Sequence, residues 1–518
     1  MAISNVIDGL VSLPTGQLVA LMLFLGPALY LLKIVYNLTL HPLRSFPGPI
    51  LARGTFWPMI KHTTDGTAQH WITALHQKYG NVVRISPGEL SFAGGGAFKD
   101  IYGYRKGGQP AFVKSPKFYS VPAGDEFAHV PDIIRATPED HSRIRRIFSN
   151  AFSDRALKQQ EPLFLTYVDL LVQRLRNVAA AAKAGKADAR VNMVTMYNFT
   201  TFDIMGDLTF GEPLNLLRDN EYHPWVANMF ASFRFGAYLM AMRYVPYVEP
   251  LLVRCMPASI DEKRRQHGRF SSERVDRRLA KTDARPDIWG LVLAENKDGT
   301  GPTLPLKEMY TNANLFMIAG TETTATLLSG LTYHLLRNPP ALARLVAEIR
   351  TAFPVEADIS IERLQHLKYL HACIEEGLRM FPPVSNGLPR IVPVGGAAVD
   401  GVWVPGGAAV MVTHLAAYRN EGNFRNAGVF APERWLSGEE GGGGAYAHDM
   451  RAALQPFSLG PRVCLGKNMA YHEIRIILSK VLWNFDLELC PESENWADQK
   501  IFIMWDKGPL WCRAIPVR

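Results

Sequence analysis

A mainly helical fold with a small β-sheet region, preceded by one membrane-spanning helix, is the class that the sequence predicts. Stretches with helical periodicity dominate the middle of the 518-residue chain. Strand-like alternation is confined to short pieces bounded by Gly or Pro, and an uncharged apolar run stands near the amino end. With 47% hydrophobic and 20% charged residues, the chain has enough apolar material for a large core, which excludes a disordered tail or a small disulfide scaffold. Cys255, Cys373, Cys464, Cys490 and Cys512 form no close pair and no Cys-x-x-Cys, so neither a structural zinc site nor a disulfide-rich secreted fold fits. The net charge of +8 suits an anionic membrane or an acidic partner as well as nucleic acid, and does not choose among them.

After a short segment at residues 1–17, Leu18 to Leu32 reads LVALMLFLGPALYLL, and apolar character resumes after Lys33 through Tyr36. The roughly 20 residues of a bilayer span are reached if Lys33 snorkels to the headgroups, and Gly26-Pro27 is tolerable in lipid. No Lys or Arg precedes the run, Lys33, Arg44 and Arg53 follow it, and no small-residue cleavage pattern ends it. Residues 18–36 therefore read as an uncleaved anchor rather than a signal peptide, with the bulk of the chain in the cytosol. Asn37-Leu38-Thr39 and Asn198-Phe199-Thr200 are then chance matches to the glycosylation pattern. Pro42, Pro47 and Pro49 make residues 37–49 a stiff hinge. Beyond it no linker or repeat interrupts a single domain at 50–518.

Helices are expected at Glu139–Ala151, Glu161–Ala182, Met193–Gly206, Leu306–Leu336, Ile361–Met380 and Gly466–Trp483. Strands are expected at Val82–Pro87, within Gly401–Leu415 and at Ile501–Trp505. The helix from Leu306 would be about 46 Å long and is apolar all round from Asn314 to Leu331, so it belongs in the core. Inside it, Ala319-Gly320-Thr321-Glu322-Thr323-Thr324 is a cluster of hydroxyls and one carboxylate that is costly to bury unpaired. Taken alone it reads as a polar strip meeting other polar groups or buried water.

The most informative stretch is Phe457-Ser458-Leu459-Gly460-Pro461-Arg462-Val463-Cys464-Leu465-Gly466. A Gly-Pro turn presents Cys464 just before a helix, at the positive end of its dipole and two residues from Arg462, and both effects favour thiolate over thiol. Such a sulfur suits a soft metal centre, whereas the ordinary fate of a lone cysteine is burial as an inert side chain.

The pattern F-x-x-G-x-R-x-C-x-G, with Ala470 six residues after the cysteine, resembles the haem-binding signature of cytochrome P-450 monooxygenases. Three more motifs stand in that family's order: A-G-x-[DE]-T-T as Ala319 to Thr324, E-x-x-R as Glu376 to Arg379, and P-E-R-[FW] as Pro432 to Trp435. The resemblance covers essentially the whole chain. Its texture (HPLRSFPGP, DHSRIRRIFSNAFS, AAYRN, PERWL) is most similar to membrane-bound fungal biosynthetic members such as isotrichodermin 15-hydroxylase.

The resemblance implies the cytochrome P-450 fold, with heme b (iron protoporphyrin IX) between the long central helix and the cysteine loop. Cys464 is then the axial ligand of the iron, and Phe457, Gly460, Gly466 and Gly320 bind the cofactor. The two haem propionates call for cationic or hydrogen-bonding groups from distant segments, for which Arg462, Arg390, Arg145 and His141 are the candidates. His141 stands where the family usually shows Trp. Arg143 and Arg146 are expected to face solvent or a partner. Glu376 and Arg379 share a helix face at i, i+3, and the resemblance adds Arg434 to a buried ion-pair cluster that holds the cysteine loop. Glu375, at i, i+4 from Arg379, is the rival partner in a weaker exposed pair.

Glu322 and Thr323 are implied to deliver protons in the oxygen chemistry, and Gly320 would permit a local widening of the helix for dioxygen. The implied reaction inserts one atom of O2 into a lipophilic small molecule, by hydroxylation or epoxidation, in terpenoid or polyketide secondary metabolism. Electrons would come from an NADPH-dependent reductase, an acidic partner drawn to Lys467, Arg143 and Arg146. The expected location is the endoplasmic reticulum membrane, single-pass, with no nucleic-acid partner. Ala227 to Leu252 would form an apolar lid, and Phe118 to Phe127, Phe316 and Val384 to Leu388 the substrate pocket. The alternative reading is a haem-thiolate protein that binds a ligand without turnover, against which the Glu322-Thr323 pair argues.

Overall fold

In the computed structural model, which describes residues 15–518 except 106, 122–126, 128, 186–187, 246–247, 256–257, 282–284, 295–302, 441 and 443, the apolar stretch around residue 320 is one unbroken helix, Leu306–Leu336. Thr324 to Leu335 are buried without exception, as a cylinder that is apolar all round requires. Met193–Phe210 is buried nearly throughout and packs along it. Gly320 marks their closest approach, because a Cβ there would stand 2.8 Å from the Met205 sulfur. The widening expected at Gly320 is therefore not present: the helix runs on, and the missing side chain makes room for Met205.

Pro138–Ser149 begins as its sequence dictates, with Thr137 accepting the Asp140 N–H at 3.2 Å and Pro138 in the first turn. Asp154–Lys183, capped by Ser153, packs on Lys467–Asn484, which in turn packs on the central helix. The single helix expected over Ile361–Met380 is two, Ile361–Leu364 and Lys368–Met380. The cause lies on another element: the Glu348 carboxylate accepts the N–H groups of Tyr369 and Leu370 at 2.9 and 2.8 Å, starting the second helix afresh.

The strands stay few and short. Val82–Ser86, Glu89–Phe92, Ala409–Val412, Arg390–Ile391 and Val113–Lys114 lie side by side in that order, with Glu89–Phe92 and Ala409–Val412 parallel and the other pairs antiparallel. Arg190–Asn192, Trp511–Pro516 and Phe485–Leu489 form a second sheet. Ala397–Val399 and Val402–Val404 make a hairpin whose Asp400-Gly401 turn takes φ of +48° and +76°, the two positive values that an Asp-Gly two-residue turn favours. The strand expected at Ile501–Trp505 is instead a tight loop closed by one bridge between those two residues, because Ile501 gives its N–H to Gly66 O and Phe502 gives its N–H to Met504 O.

The proline segment is packed rather than free. Leu43 and Phe46 join the core beside the five-stranded sheet. Buried Arg84 donates to Asn37 O, Leu43 O and Pro87 O, so one guanidinium ties the end of helix Thr15–Thr39 and the turns after it to the first strand. Along that helix Phe24, Leu29, Leu31 and Leu32 are exposed. Among the described residues no helix is long and apolar enough to cross a membrane, and residues 1–14 of the expected amino-terminal segment lie outside them.

Candidate functional site

Beneath the site lies a group of charged side chains almost wholly shut off from solvent. Arg379 forks onto both oxygens of Glu376 at 2.8 and 2.7 Å, and its other donors reach the carbonyls of Tyr418, Ala427 and Val429. Glu376 also accepts from Ala431 N, Arg434 Nε and Trp435 Nε1. Arg434 completes its fork on Asp449 at 2.6 Å. Two arginines thus meet two carboxylates, so a buried cluster that would be ruinous if unpaired is neutral and hydrogen-bonded throughout. Asp449 and Trp435 were not foreseen. Glu375 takes no part: it accepts the Tyr471 hydroxyl instead.

This cluster clamps residues 418–435, the meander leading to the cysteine loop. Tyr418 then accepts Gln455 N through its hydroxyl, and the loop closes with Cys464 N donating to Phe457 O at 2.8 Å. Gly460 takes φ +66°, and a Cβ on it would fall 2.3 Å from Tyr102 O, so no other residue fits. Gly466 precedes helix Lys467–Asn484, and a Cβ on it would meet nothing. Phe457 packs on Tyr471 with ring centroids 5.2 Å apart and planes tilted by 41°.

Cys464 lies deep in the chain, and burial raises its thiol pKa, opposed by the Gly466 N–H, Arg145 and Lys467. Yet the residue is exposed. A side chain both deep and accessible opens on an internal space. The thiolate-favouring charge expected from Arg462 comes from Arg145 and Lys467 instead. Arg462 turns away to donate to Ala136 O at 2.7 Å and Ile133 O at 3.3 Å.

Around that space the expected cations converge. Arg145 donates to Val463 O at 2.6 Å. Arg390 is buried and donates to the Tyr119 hydroxyl at 3.0 Å. Lys114, unforeseen, donates to Ile134 O and lies 4.5 Å over the Tyr119 ring. Burial and the charges of Arg390 and Arg462 push the Lys114 ammonium down to about 6. Burial, then Arg462, Arg145 and Lys114, push His141 down to about 4. Burial and Arg390 lower Arg462 to about 10. Among the described residues no carboxylate pairs with Arg145, Arg390 or Arg462, and Asp132, which offsets Lys114, is itself held by Arg135. Half-buried cations crowded together without an acid are a receptor for a dianion. The two propionates of the porphyrin implied by the sequence fit it, and the open sulfur beside it fits the porphyrin's iron.

The central helix opens a matching stripe. Leu315, Gly320 and Thr323 are half-buried and Ala319 is exposed, among buried neighbours on the same helix. Thr323 donates its hydroxyl proton to Ala319 O at 2.7 Å. Glu322 lies off the stripe and buried. It is paired with Lys507 and accepts from Thr326 at 3.3 Å, while its Oε2 has no partner. One residue past Thr323, Thr324 hydrogen-bonds Glu473, whose carboxyl burial raises to about 8 and whose Oε1 has no partner. Neither Lys507 nor Glu473 stands within a motif that singles it out for this place.

A separate cavity of about 100 Å³ lies between helix Pro224–Met242 and the five-stranded sheet. Phe118, Met240, Tyr244, Asn386, Met411 and Phe502 are among its walls. Phe118, Asn386 and Gly387, which border it, were expected in a substrate pocket. Phe316 was too, but it packs instead on Phe148 and Phe152 in the core. Arg143, expected outward, pairs with Glu308 and Asp140, whereas Arg146 and Lys467 are exposed. A roomier cleft of about 570 Å³, between the proline segment and the Ala397–Val404 hairpin, touches none of the site residues.

The family model for Cytochrome P450 matches residues 47–512. The cytochrome P450 monooxygenase efuB of Hormonema carpetanum is 46% identical over 480 residues, 92% of each chain. The cytochrome P450 monooxygenase astJ of Aspergillus oryzae is 43% identical over 484 residues, 93% of this chain and 94% of its own.

Proposed function

Because the chain belongs to the cytochrome P450 family, we propose that its buried cation cradle and open Cys464 hold heme b and that the lipophilic cavity beside helix Pro224–Met242 admits the substrate. The protein is a monooxygenase: RH, O2, NADPH and H⁺ give ROH, H2O and NADP⁺, the electrons arriving through a redox partner. When bound, the haem supplies the site of oxygen activation. Cys464 would hold it through its thiolate sulfur. Arg145, Arg390 and Arg462 would neutralise its propionates, with Lys114, pushed down to about 6, able to regain its proton beside them, and binding of those carboxylates would relieve the repulsion among the guanidiniums. The Ala319, Gly320 and Thr323 stripe lies on the reaction side, where the Thr323 hydroxyl is the group able to hold a proton at the open face. Glu322 and Glu473 are the acids behind it.

The observation that carries this reading is the coincidence of a deep, accessible cysteine with a set of guanidiniums that lack acids. It is tested by the difference spectrum of the reduced protein with carbon monoxide. A red-shifted Soret band of a thiolate-bound haem is expected, and Cys464→Ser should abolish it while leaving the far-ultraviolet circular dichroism unchanged. A wild-type spectrum without that band overturns the reading.

The substrate is a lipophilic secondary metabolite of the terpenoid or polyketide kind, a reading supported by the Met, Phe and Tyr side chains of the cavity, whose walls also carry the paired Glu89 and Lys117. The redox partner is an NADPH-dependent reductase with an acidic face, for which exposed Lys467 and Arg146 offer charge; Arg143 is already spent on Glu308. Exposed apolar side chains on helix Thr15–Thr39 support an amino-terminal anchor in the endoplasmic reticulum membrane with the rest of the chain in the cytosol. Membrane flotation of the full chain tests that part.

A further inference from the structure

The loop from Gln499 to Gly508 touches the substrate cavity at one end and a buried acid at the other. Phe502 is one wall of the cavity, and Asn386, another wall, donates its amide to Ile503 O at 2.8 Å. Helix Pro224–Met242 presses on the same loop: Asp506 pairs with Arg234 at 2.6 Å, and a Cβ at Gly236 would stand 2.7 Å from Ile503 Cδ1. Four residues past Ile503, the Lys507 ammonium is sealed against Glu322 and donates to Thr326 at 2.7 Å. Tyr222, whose phenol feels the charge of Glu322 and which is held by Asn198, is the other titratable group facing that carboxylate. The Glu322 Oε2 is buried and empty-handed. A carboxylate locked in a buried ion pair cannot exchange protons freely, since removing its cation leaves an uncompensated charge.

We propose that Lys507 is a positioning residue for Glu322: the pair holds the Glu322 carboxylate off the open stripe, and displacement of the Phe502–Lys507 loop by an occupant of the cavity releases it to take up and pass on a proton. This rests on the monooxygenase reading above. It makes proton supply conditional on a filled cavity, which would hold back futile reduction of O2 by NADPH and H⁺ to H2O2 and NADP⁺ when no substrate is present.

The test uses the full-length holoenzyme. In infrared spectra at neutral pH, Lys507→Met should show a carboxylic-acid C=O band additional to that of Glu473, absent from wild type and from Lys507→Arg, and lost in Lys507→Met/Glu322→Gln. Gly236→Val, which drives a side chain into Ile503 as an occupant would, should show the same band, again lost when Glu322→Gln is added. With reductase and no substrate, NADPH oxidation and H2O2 release should rise by roughly a hundredfold in Lys507→Met and in Gly236→Val, the lower end of what a freed general acid provides. If Lys507→Met does not fold, Lys507→Gln, which keeps an amide donor without the charge, takes its place with the same band and the same rise expected. No acid band and wild-type NADPH oxidation in the folded variants overturns the proposal. The carbon monoxide spectrum separates this from failure of the underlying reading: a normal wild-type Soret band with no acid band in the variants sinks only the role of Lys507.

Discussion

Glu473 shows how a single buried acid leaves its mark on the whole protein. Burial raises its carboxyl to about 8, with the Thr324 hydroxyl opposing that rise. Between the ordinary carboxylate value and about 8 the folded chain holds a proton that the unfolded chain has lost, so stability falls as pH rises through that window. Glu473→Gln, which keeps the shape and removes the titration, is expected to flatten the decline in thermal midpoint between about pH 5 and about pH 8. Calorimetry of both proteins across that range checks it. At this scale the sequence was legible where a residue type is forced by geometry. Gly460 is such a case, because its positive φ and the nearby Tyr102 carbonyl exclude a side chain. It was illegible where a residue matters only through something distant: Lys507 and Lys114 are unremarkable lysines until the fold brings them to Glu322 and Arg390.

Among elements, the decisive joint is the neutral cluster of Glu376, Arg379, Arg434 and Asp449, which fastens helix Lys368–Met380 to the meander before the cysteine loop. Glu376→Ala would strand the buried Arg379 guanidinium and leave Arg434 with Asp449 alone, at a cost of about 3–5 kcal/mol. Urea unfolding should register that loss, and haem retention on gel filtration should fall with it, since the loop that carries Cys464 loses its clamp. The bounds of the central helix were readable because its apolar residues need no partner to declare themselves and Pro339 follows its end. The break at residues 365–367 was not, because the groups that restart the helix belong to Glu348 on a neighbour. Ile501–Trp505 misled for a similar reason: alternation suggested a strand, but its hydrogen bonds go to Gly66 and back onto itself.

Across the molecule, the amino-terminal helix and the body are joined at Arg84 and Asn37, whose amide donates to Gly54 O at 2.8 Å. A chain starting at residue 37 keeps those contacts and loses the exposed apolar helix. It is expected to fold with an unchanged carbon monoxide spectrum while its share in the membrane pellet drops, as fractionation would show. The cysteine loop and its companion motifs could be read from sequence because their residues lie within a few positions of one another. The cradle could be read only in part, because it is assembled from segments around residues 114, 145, 390 and 462. That cradle has one more consequence. Three guanidiniums drawn together with no carboxylate partner strain an unfilled molecule, and a tightly held prosthetic group adds about 2.7 kcal/mol or more once its concentration exceeds its dissociation constant a hundredfold. Empty copies therefore open more often than loaded ones, and proteolysis, which samples open chains, will clear the unfinished protein first and leave a population enriched in the complete enzyme.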